Sequence, residues 1–220
     1  MFIGHFGVGF ASKRLAPRLN LGVLLIAPLL LDMLWPIFLL LGIESVKIDP
    51  GNTAVTPLDL HDYPWSHSLL MALVWSVLAG AAIRAALRQT RPALVVAAGV
   101  FSHWVLDFVT HRPDMPLYPG SHVYLGLGLW NSKIGTAIVE SAIYAAGVAI
   151  YLRTTRRNDR TGAWTFASMA ALLALIYAGN FNGPPPPSVN AIIVVSFALW
   201  LFIPWAFWAD RHRSPTGNAR

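Results

Sequence analysis

The segment PALVVAAGVFSHWVLDFVTH (residues 92–111) decides the class of this chain. It is almost wholly apolar and about twenty residues long, which is the length that a helix needs to cross the hydrocarbon core of a bilayer. Three ionisable side chains interrupt it at intervals of four residues: His103, Asp107 and His111. Because residues four apart lie on one face of a helix, the pattern predicts an imidazole, a carboxylate and an imidazole in one row within a membrane.

A carboxylate at that depth is costly, by at least about 2.5 kcal/mol unless a partner compensates its charge. Ionisable residues inside spans therefore usually face the interior of a helix bundle and mark a functional site. Other apolar segments carry similar groups: Asp32 lies within 21–43, His67 near the start of 65–87, and Glu140 within 134–152. Four separate segments thus each supply a polar group where none is expected.

Composition and segment length predict an all-α, polytopic membrane protein. The chain is 55% hydrophobic and only 12% charged. A short helix is expected over residues 1–11, either entering from the cytoplasmic side or lying in the interface. We expect one integral membrane domain over 1–220, with the polar site in about 1–122 and additional helices in about 134–209. The six predicted spans are 21–43, 65–87, 92–112, 134–152, 163–179 and 189–209.

The basic residues alternate between the connecting segments. Thirteen of the sixteen lysines and arginines fall before the first span, between spans two and three, between spans four and five, or after the last span. By the positive-inside rule that side is cytoplasmic, so both termini are expected in the cytoplasm. The formal net charge of +6 is then a topology signal. Membrane lipids, and no nucleic acid, are the expected partners.

The helical rise of 1.5 Å per residue places the polar groups at comparable depths. Asp32 and His103 each fall about 18 Å from the cytoplasmic edge, and Asp107 about 6 Å further out. His5 is expected at a lower level, about 12 Å above Lys13, if the first segment inserts as a half-helix. The candidate groups therefore meet in the middle and outer part of the membrane.

Imidazole nitrogens combined with carboxylate oxygens form a ligand set that zinc, manganese or iron accepts. The chain has no cysteine, so thiolate ligands are excluded. A bound ion of this kind acidifies a bound water and polarises a carbonyl or phosphoryl oxygen, which suffices for ester hydrolysis. The candidate catalytic residues are Asp107 or Glu140 as general base, and His111 or His122 as a group that steadies the leaving group or binds phosphate.

Several short motifs occur in one order along the first half of the chain. They are His5 after Gly4, Pro28 and Asp32 in the first span, Ser66-His67-Ser68, and His103-x-x-x-Asp107. With these motifs, over roughly residues 1–122, the chain resembles the membrane-bound metal-dependent hydrolases, a family that includes LexA-binding, inner-membrane-associated members. The resemblance implies a bacterial or archaeal cytoplasmic membrane. It also implies metal-ligand roles for His5, Asp32, His67, His103 and Asp107.

Two positions depart from that family's pattern. The family's aspartate usually follows the proline directly, whereas three leucines stand between Pro28 and Asp32 here. Its usual His-Arg-Gly before the Thr-His-Ser motif is replaced by Asp62-Tyr63-Pro64. The second departure implies a different outer wall of the site.

The chain also has a remoter similarity to the all-helical zinc phospholipase C and P1 nuclease fold. The ligand order of that fold is matched by His5, Asp32, His67, His103, Asp107, His111 and His122. The last acid of the pattern is absent, because Gly126 stands four residues after His122. This similarity implies one or two metal ions and favours phosphoester hydrolysis.

The leading hypothesis is therefore a membrane-embedded, metal-dependent hydrolase. It acts on a phosphoester or another ester, with lipids among the candidate substrates, and its site lies in the outer half of the membrane. Zinc is the expected ion, and manganese and iron are alternatives. The same buried groups would also suit a small-solute or ion transporter or a proton relay. A third interpretation is a membrane adaptor whose buried polar residues are structural. The substrate and the oligomeric state stay open at this point.

Overall fold

The computed structural model describes residues 1–181 and 183–216, and most of them are helical. Within these ranges, six helical segments are long and apolar enough to cross a membrane, which confirms the all-α polytopic class. The helices are α1 (Ile3–Ser12), α2 (Leu21–Leu40), α3 (Pro64–His67), α4 (Leu69–Leu87), α5 (Thr90–Thr110), α6 (Lys133–Thr154), α7 (Arg160–Asn180), α8 (Val189–Ala198) and α9 (Phe202–Arg211). The last span combines α8, a 3₁₀ turn over Leu199–Leu201 and α9.

Short antiparallel strand pairs join the connecting segments. The pairs are β1 (Ser45–Ile48) with β2 (Leu58–Asp62), β3 (Met115–Pro116) with β4 (Tyr124–Leu125), and β5 (Thr155–Arg157) with β6 (Arg213–Pro215). The β1–β2 hairpin lies in a segment for which prolines and glycines predict irregular structure. It forms because Val46 and Leu60 alternate with polar neighbours and bury one face of the hairpin.

Helix α1 is inserted into the bundle, where it packs against α2, α5 and α6. Its backbone touches that of α6, because a Cβ atom built on Gly147 would lie 2.1 Å from the carbonyl oxygen of Gly7. Small residues permit such close approach between membrane helices. The helix has no polar face, and eight of its ten residues are buried. The interfacial alternative for residues 1–11 is therefore wrong, and the half-helix alternative holds.

The depth expected for His5 was too low. Lys13, from which the depth is counted, is buried and does not mark the membrane surface, because its Nζ lies 2.5 Å from Asp210 Oδ2. With Lys13 inside the bundle, α1 reaches higher, and the ring of His5 stacks on that of His103 with 3.8 Å between centroids. Counting from the nearest lysine fails here since a partner on α9 neutralises its charge.

Two helix ends near the site differ from the predicted spans. The predicted span 65–87 is divided: α3 ends at His67, and Ser68 is extended and caps α4 through a hydrogen bond from the Met71 amide to its Oγ. Helix α5 ends at Thr110, and His111 is extended, with φ −66° and ψ 147°. Both imidazoles thus lie at the end of a helical segment, where the backbone direction changes.

Candidate metal centre

The row predicted on α5 is formed and buried. His103 Nε2 lies 2.9 Å from Asp107 Oδ2, one helical turn along the same face. His111 lies beyond the end of the helix, yet its Nε2 is 3.7 Å from the same oxygen. All three side chains are at most 3% exposed. The helical period therefore accounts for the His103–Asp107 pair, whereas His111 approaches Asp107 from beyond the end of α5.

Two further imidazoles reach the Asp107 carboxylate from other helices. His5 on α1 places Nε2 3.0 Å from Asp107 Oδ1, and His67 on α3 places Nε2 3.8 Å from Oδ2. The amino group of Met1 also contacts Oδ1. The Nε2 atoms of four histidines thus lie between 2.9 and 3.8 Å from one carboxylate.

A second carboxylate completes this group of side chains. Asp32 Oδ1 on α2 lies 3.6 Å from His67 Nε2 and 3.8 Å from His103 Nε2. Asp32 is 38% exposed, whereas Asp107 is 2% exposed, so Asp32 is the more accessible of the two carboxylates. We call the six side chains the Asp107 cluster; they are His5, Asp32, His67, His103, Asp107 and His111.

Two subsets of the Asp107 cluster have the spacing of metal ligands. In each of them, one ligand atom per residue lies within 4.8 Å of the others. The first subset is Asp32, His67 and His103, and the second is His5, His103 and Asp107. His103 belongs to both, so the two subsets are adjacent.

The Nδ1 atoms of two rings are bound to groups that can only accept hydrogen bonds. His103 Nδ1 lies 2.7 Å from the carbonyl oxygen of Pro28, and His111 Nδ1 lies 3.0 Å from Asp114 Oδ1. The Tyr63 hydroxyl is also 3.1 Å from His111 Nδ1, but its proton goes to Asp114 Oδ1. Nδ1 must therefore carry the hydrogen, and in the neutral rings the lone pair is on Nε2. Those lone pairs face Asp107. Such outer hydrogen bonds are the usual means of orienting metal-binding histidines.

His67 is oriented through a hydroxyl group. Its Nδ1 lies 2.6 Å from Ser66 Oγ, which donates a hydrogen bond of 2.7 Å to Glu44 Oε2. Because the Ser66 proton goes to the carboxylate, the hydroxyl oxygen accepts from His67 Nδ1–H. The Nε2 atoms of His67 and His103 are 3.3 Å apart, so two lone pairs face each other. A cation between them would remove this repulsion.

The outer hydrogen-bond partners are themselves held firmly. Glu44 Oε1 accepts hydrogen bonds from the amides of Trp65 and Ser66, at 2.8 and 2.7 Å. Burial nevertheless raises the pKa of Glu44 to about 7. Tyr63 donates to Asp114 Oδ1 over 2.9 Å, and burial raises the pKa of its phenol, so that it stays a donor.

The donor set of the Asp107 cluster fits a divalent metal ion. It combines imidazole nitrogens with carboxylate oxygens, as zinc, manganese and iron sites do. The lone pairs of three rings are directed inward, and each of these rings has an outer partner at Nδ1. A structural core would instead pair each acceptor with a donor.

Cavities connect the cluster with the loops. A cavity of about 120 Å³ is bordered by Asp32, His67, Asp107 and His111. A larger cavity of about 470 Å³ adjoins it and is lined by Lys133 and Glu140, among others. The two share four lining residues, which are Met1, Thr56, Leu58 and Trp130. The cluster can thus be reached from the side of the bundle that carries the β1–β2 hairpin.

Two residues considered at the sequence level lie outside the Asp107 cluster. Glu140 Oε2 accepts hydrogen bonds from the amides of Phe2 and Gly4, at 2.7 and 3.4 Å, where it stabilises the start of α1. Glu140 faces the larger cavity, and its role as a general base stays a prediction. His122 is exposed and lines a separate pocket beside His61.

Sequence reasoning did not assign the outer partners of the histidines. Glu44 and Asp114 lie outside the predicted spans, and Tyr63 is noted only as a departure from a motif. For Asp114 a signal existed, because it stands three residues after His111 and continues the polar row of α5. For Glu44 the sequence offers no such spacing, since 22 residues separate it from Ser66.

Comparison with known proteins gives one family. Residues 2–182 match the family model described as YdjM inner membrane protein. Neither the curated proteins nor the solved structures contain a match. The matched range includes the whole Asp107 cluster and leaves out α8 and α9. The match agrees with the inner-membrane part of the expected resemblance, and hydrolase activity stays a prediction.

Proposed function

The chain belongs to the YdjM inner membrane protein family, and on that premise we propose that it is a membrane-embedded, metal-dependent hydrolase. One observation carries the proposal: four imidazole Nε2 atoms surround the Asp107 carboxylate at 2.9 to 3.8 Å inside a bundle of apolar helices. Asp32 adds a second carboxylate. Such a group is costly inside a membrane unless a cation compensates it.

The proposed metal ligands are His5, Asp32, His67, His103 and Asp107. The two subsets that share His103 would hold one or two ions. Zinc fits a set rich in imidazole nitrogen, and manganese or iron would accept the same atoms. His111, oriented by Asp114, is close enough to Asp107 to contribute Nε2 as well.

When bound, such an ion supplies Lewis acidity: it acidifies water and polarises the ester oxygen. The chain supplies the remaining elements of catalysis. Asp32 and Asp107 border the smaller cavity and are placed to take a proton from water there. His111 borders the same cavity and would steady the leaving group. The larger cavity, with Glu140 and Lys133 in its wall, would hold the rest of the substrate.

A phosphoester is the favoured substrate class, as the similarity to the zinc phospholipase C and P1 nuclease fold implies.

The cavities open towards the β1–β2 hairpin, and the distribution of basic residues assigns the opposite ends of the spans to the cytoplasm. We therefore propose that the site lies in the outer half of the membrane and that the C-terminus is cytoplasmic. The N-terminus, which was expected in the cytoplasm, lies at the site instead, because the Met1 amino group contacts Asp107 inside the bundle. A substrate would enter from the outer leaflet or from the space outside it.

Elemental analysis of detergent-purified protein tests the proposal. We expect stoichiometric zinc or manganese in the wild type. In Asp107→Asn and His103→Ala, metal affinity should fall at least about a hundredfold, because each substitution removes a proposed ligand that lies close to several of the others. Asp49→Asn, in the exposed hairpin, is the matched control and should keep its metal. Hydrolysis of chromogenic phosphomonoesters and phosphodiesters should follow the metal content. A folded wild-type protein that binds no divalent ion after metal supplementation would refute the proposal.

A further inference from the structure

Glu44 is a buried carboxylate outside the Asp107 cluster. It lies between α2 and β1, is 3% exposed, and within the described residues it forms no ion pair. Three hydrogen bonds satisfy it instead, from the Trp65 amide, the Ser66 amide and the Ser66 hydroxyl. Burying a carboxylate without a counter-charge is unfavourable, so its position calls for an explanation beyond packing.

Glu44 gives a direction to the hydrogen bonds that lead to His67. When Glu44 is ionised, its carboxylate can only accept, so the Ser66 hydroxyl donates to Glu44 Oε2 and accepts from His67 Nδ1–H. The hydrogen of the neutral ring is then on Nδ1. His67 Nε2 keeps its lone pair, and this atom faces Asp32 and His103.

The opposite direction would remove His67 from the ligand set. If Ser66 donated its proton to His67 Nδ1, the ring hydrogen would be on Nε2, and that N–H would point to Asp32 Oδ1, 3.6 Å away. His67 would then be a hydrogen-bond donor to Asp32 and could not coordinate a cation. The ligand character of His67 therefore depends on which group Ser66 donates to.

We propose that Glu44 is a positioning residue of the metal centre, acting through the Ser66 hydroxyl to keep the lone pair of His67 on Nε2. The inference rests on the proposed function, because it assumes that the Asp107 cluster binds a divalent cation. It assigns to the start of the outer hairpin a role in metal binding, although Glu44 itself is not a ligand.

The substitution Glu44→Gln tests the direction of these hydrogen bonds with little change in size. The glutamine carbonyl oxygen can still accept from the two backbone amides, but its NH₂ group replaces Oε2 and donates to Ser66 Oγ. The nearest acceptor for the Ser66 proton is then His67 Nδ1, at 2.6 Å, whereas the Tyr63 carbonyl oxygen is 3.4 Å away. We expect zinc affinity, measured by competition with a chelating indicator, to fall by about 10- to 100-fold, the usual effect of changing an outer-shell partner.

The serine offers a second route to the same test. Ser66→Ala removes the acceptor of His67 Nδ1–H and should lower zinc affinity by about tenfold, whereas Ser66→Thr keeps the hydroxyl and should restore it. Asp159→Asn is the matched control, because Asp159 Oδ2 is bonded to His212 Nδ1 at 2.7 Å on the surface. This variant should bind zinc like the wild type.

A spectroscopic measurement separates positioning from a merely structural role. In the metal-free protein, the ¹⁵N shifts of the His67 ring should change from the Nδ1–H to the Nε2–H tautomer in Glu44→Gln, and should not change in Asp159→Asn. Unchanged zinc affinity and an unchanged tautomer in Glu44→Gln would overturn the inference while the proposed function stands. A loss of zinc affinity in Ser66→Thr equal to that in Ser66→Ala would also overturn it. A wild-type protein that binds no metal would contradict both this inference and the proposed function.

Discussion

Two buried polar clusters lie at different levels of this bundle, and they are built differently. In the Lys13–Asp210 cluster, which consists of Lys13, Tyr151 and Asp210, donors and acceptors are matched. Asp210 Oδ2 accepts from Lys13 Nζ and from the Leu21 amide, and Oδ1 accepts from Tyr151. Lys13 also donates to the carbonyl oxygen of Leu19. The Lys13 ammonium and the Asp210 carboxylate neutralise each other, and the donors of this cluster are paired with acceptors within it or on the backbone.

The Asp107 cluster has an excess of acceptors. Asp32, Asp107 and the Nε2 lone pairs of three oriented rings face one another, and the Met1 amino group contacts Asp107 Oδ1. Burial of polar residues is thus not by itself a sign of a functional site. A cluster with matched donors and acceptors holds helices together, whereas converging lone pairs are the arrangement that a cation-binding site requires.

The largest expected effect comes from breaking the matched cluster. Asp210→Ala leaves Lys13 buried without a counter-charge and should lower the free energy of unfolding by about 3–5 kcal/mol. Thermal unfolding in detergent would measure the loss. The double variant Lys13→Met/Asp210→Met should recover part of it, because it removes the uncompensated charge. The metal content per folded molecule should stay unchanged. A loss of metal would contradict the view that the Lys13–Asp210 cluster is structural and separate from the Asp107 cluster.

A smaller effect is expected from the pH dependence of Glu44. Burial raises the pKa of Glu44 from 4.5 to about 7, so the folded protein favours the protonated carboxyl group. The contribution of Glu44 to the free energy of unfolding is therefore fully present below pH 4.5 and is lost as the pH rises through about 7. Glutamine cannot ionise, so metal-free Glu44→Gln should become more stable than the wild type as the pH increases. The difference should reach on the order of 2–3 kcal/mol at pH 9.

The measurement is the difference in melting temperature between the two metal-free proteins from pH 5 to pH 9. The histidines titrate in both proteins, so their contribution largely cancels in the difference. A difference that does not vary with pH would contradict the prediction. The expected result would show that Glu44, which supports the proposed metal centre, lowers stability at neutral and alkaline pH, unlike the residues of the matched cluster.

The smallest effect concerns α1, which carries His5 near one end and is followed directly by Lys13, so that it connects the two clusters. Gly147→Ala places a methyl group against the Gly7 carbonyl oxygen, and α1 must shift. We expect a loss of about 1–3 kcal/mol in stability together with weaker zinc binding. Gly179→Ala is the control, since no atom lies within 4 Å of its added Cβ. Normal zinc binding in Gly147→Ala would mean that the position of α1 is unimportant for the site.

Much of the architecture could be predicted from local patterns. Apolar length predicted the six spans, because the thickness of a bilayer sets the length of a helix that crosses it. The interval of four residues predicted that His103 and Asp107 share a face, and equal distances from the cytoplasmic edge predicted that Asp32 meets His103. These inferences depend on the helical rise and period, which do not vary with tertiary context.

Other features depend on contacts between distant parts of the chain. The insertion of α1 follows from Gly7 meeting Gly147 and from Lys13 finding Asp210, 197 residues later in the sequence. The hydrogen bonds from Glu44 to Ser66 depend on the path of the β1–β2 hairpin.

Hydropathy and the helical period were thus enough to establish the membrane class and the spans, and to single out candidate metal ligands. The orientation of the imidazole lone pairs and the position of His5 beside His103 became known from the folded chain. Hydropathy and period are properties of a single segment, whereas the burial of a charge and the tautomer of an imidazole depend on which partner the fold brings to it.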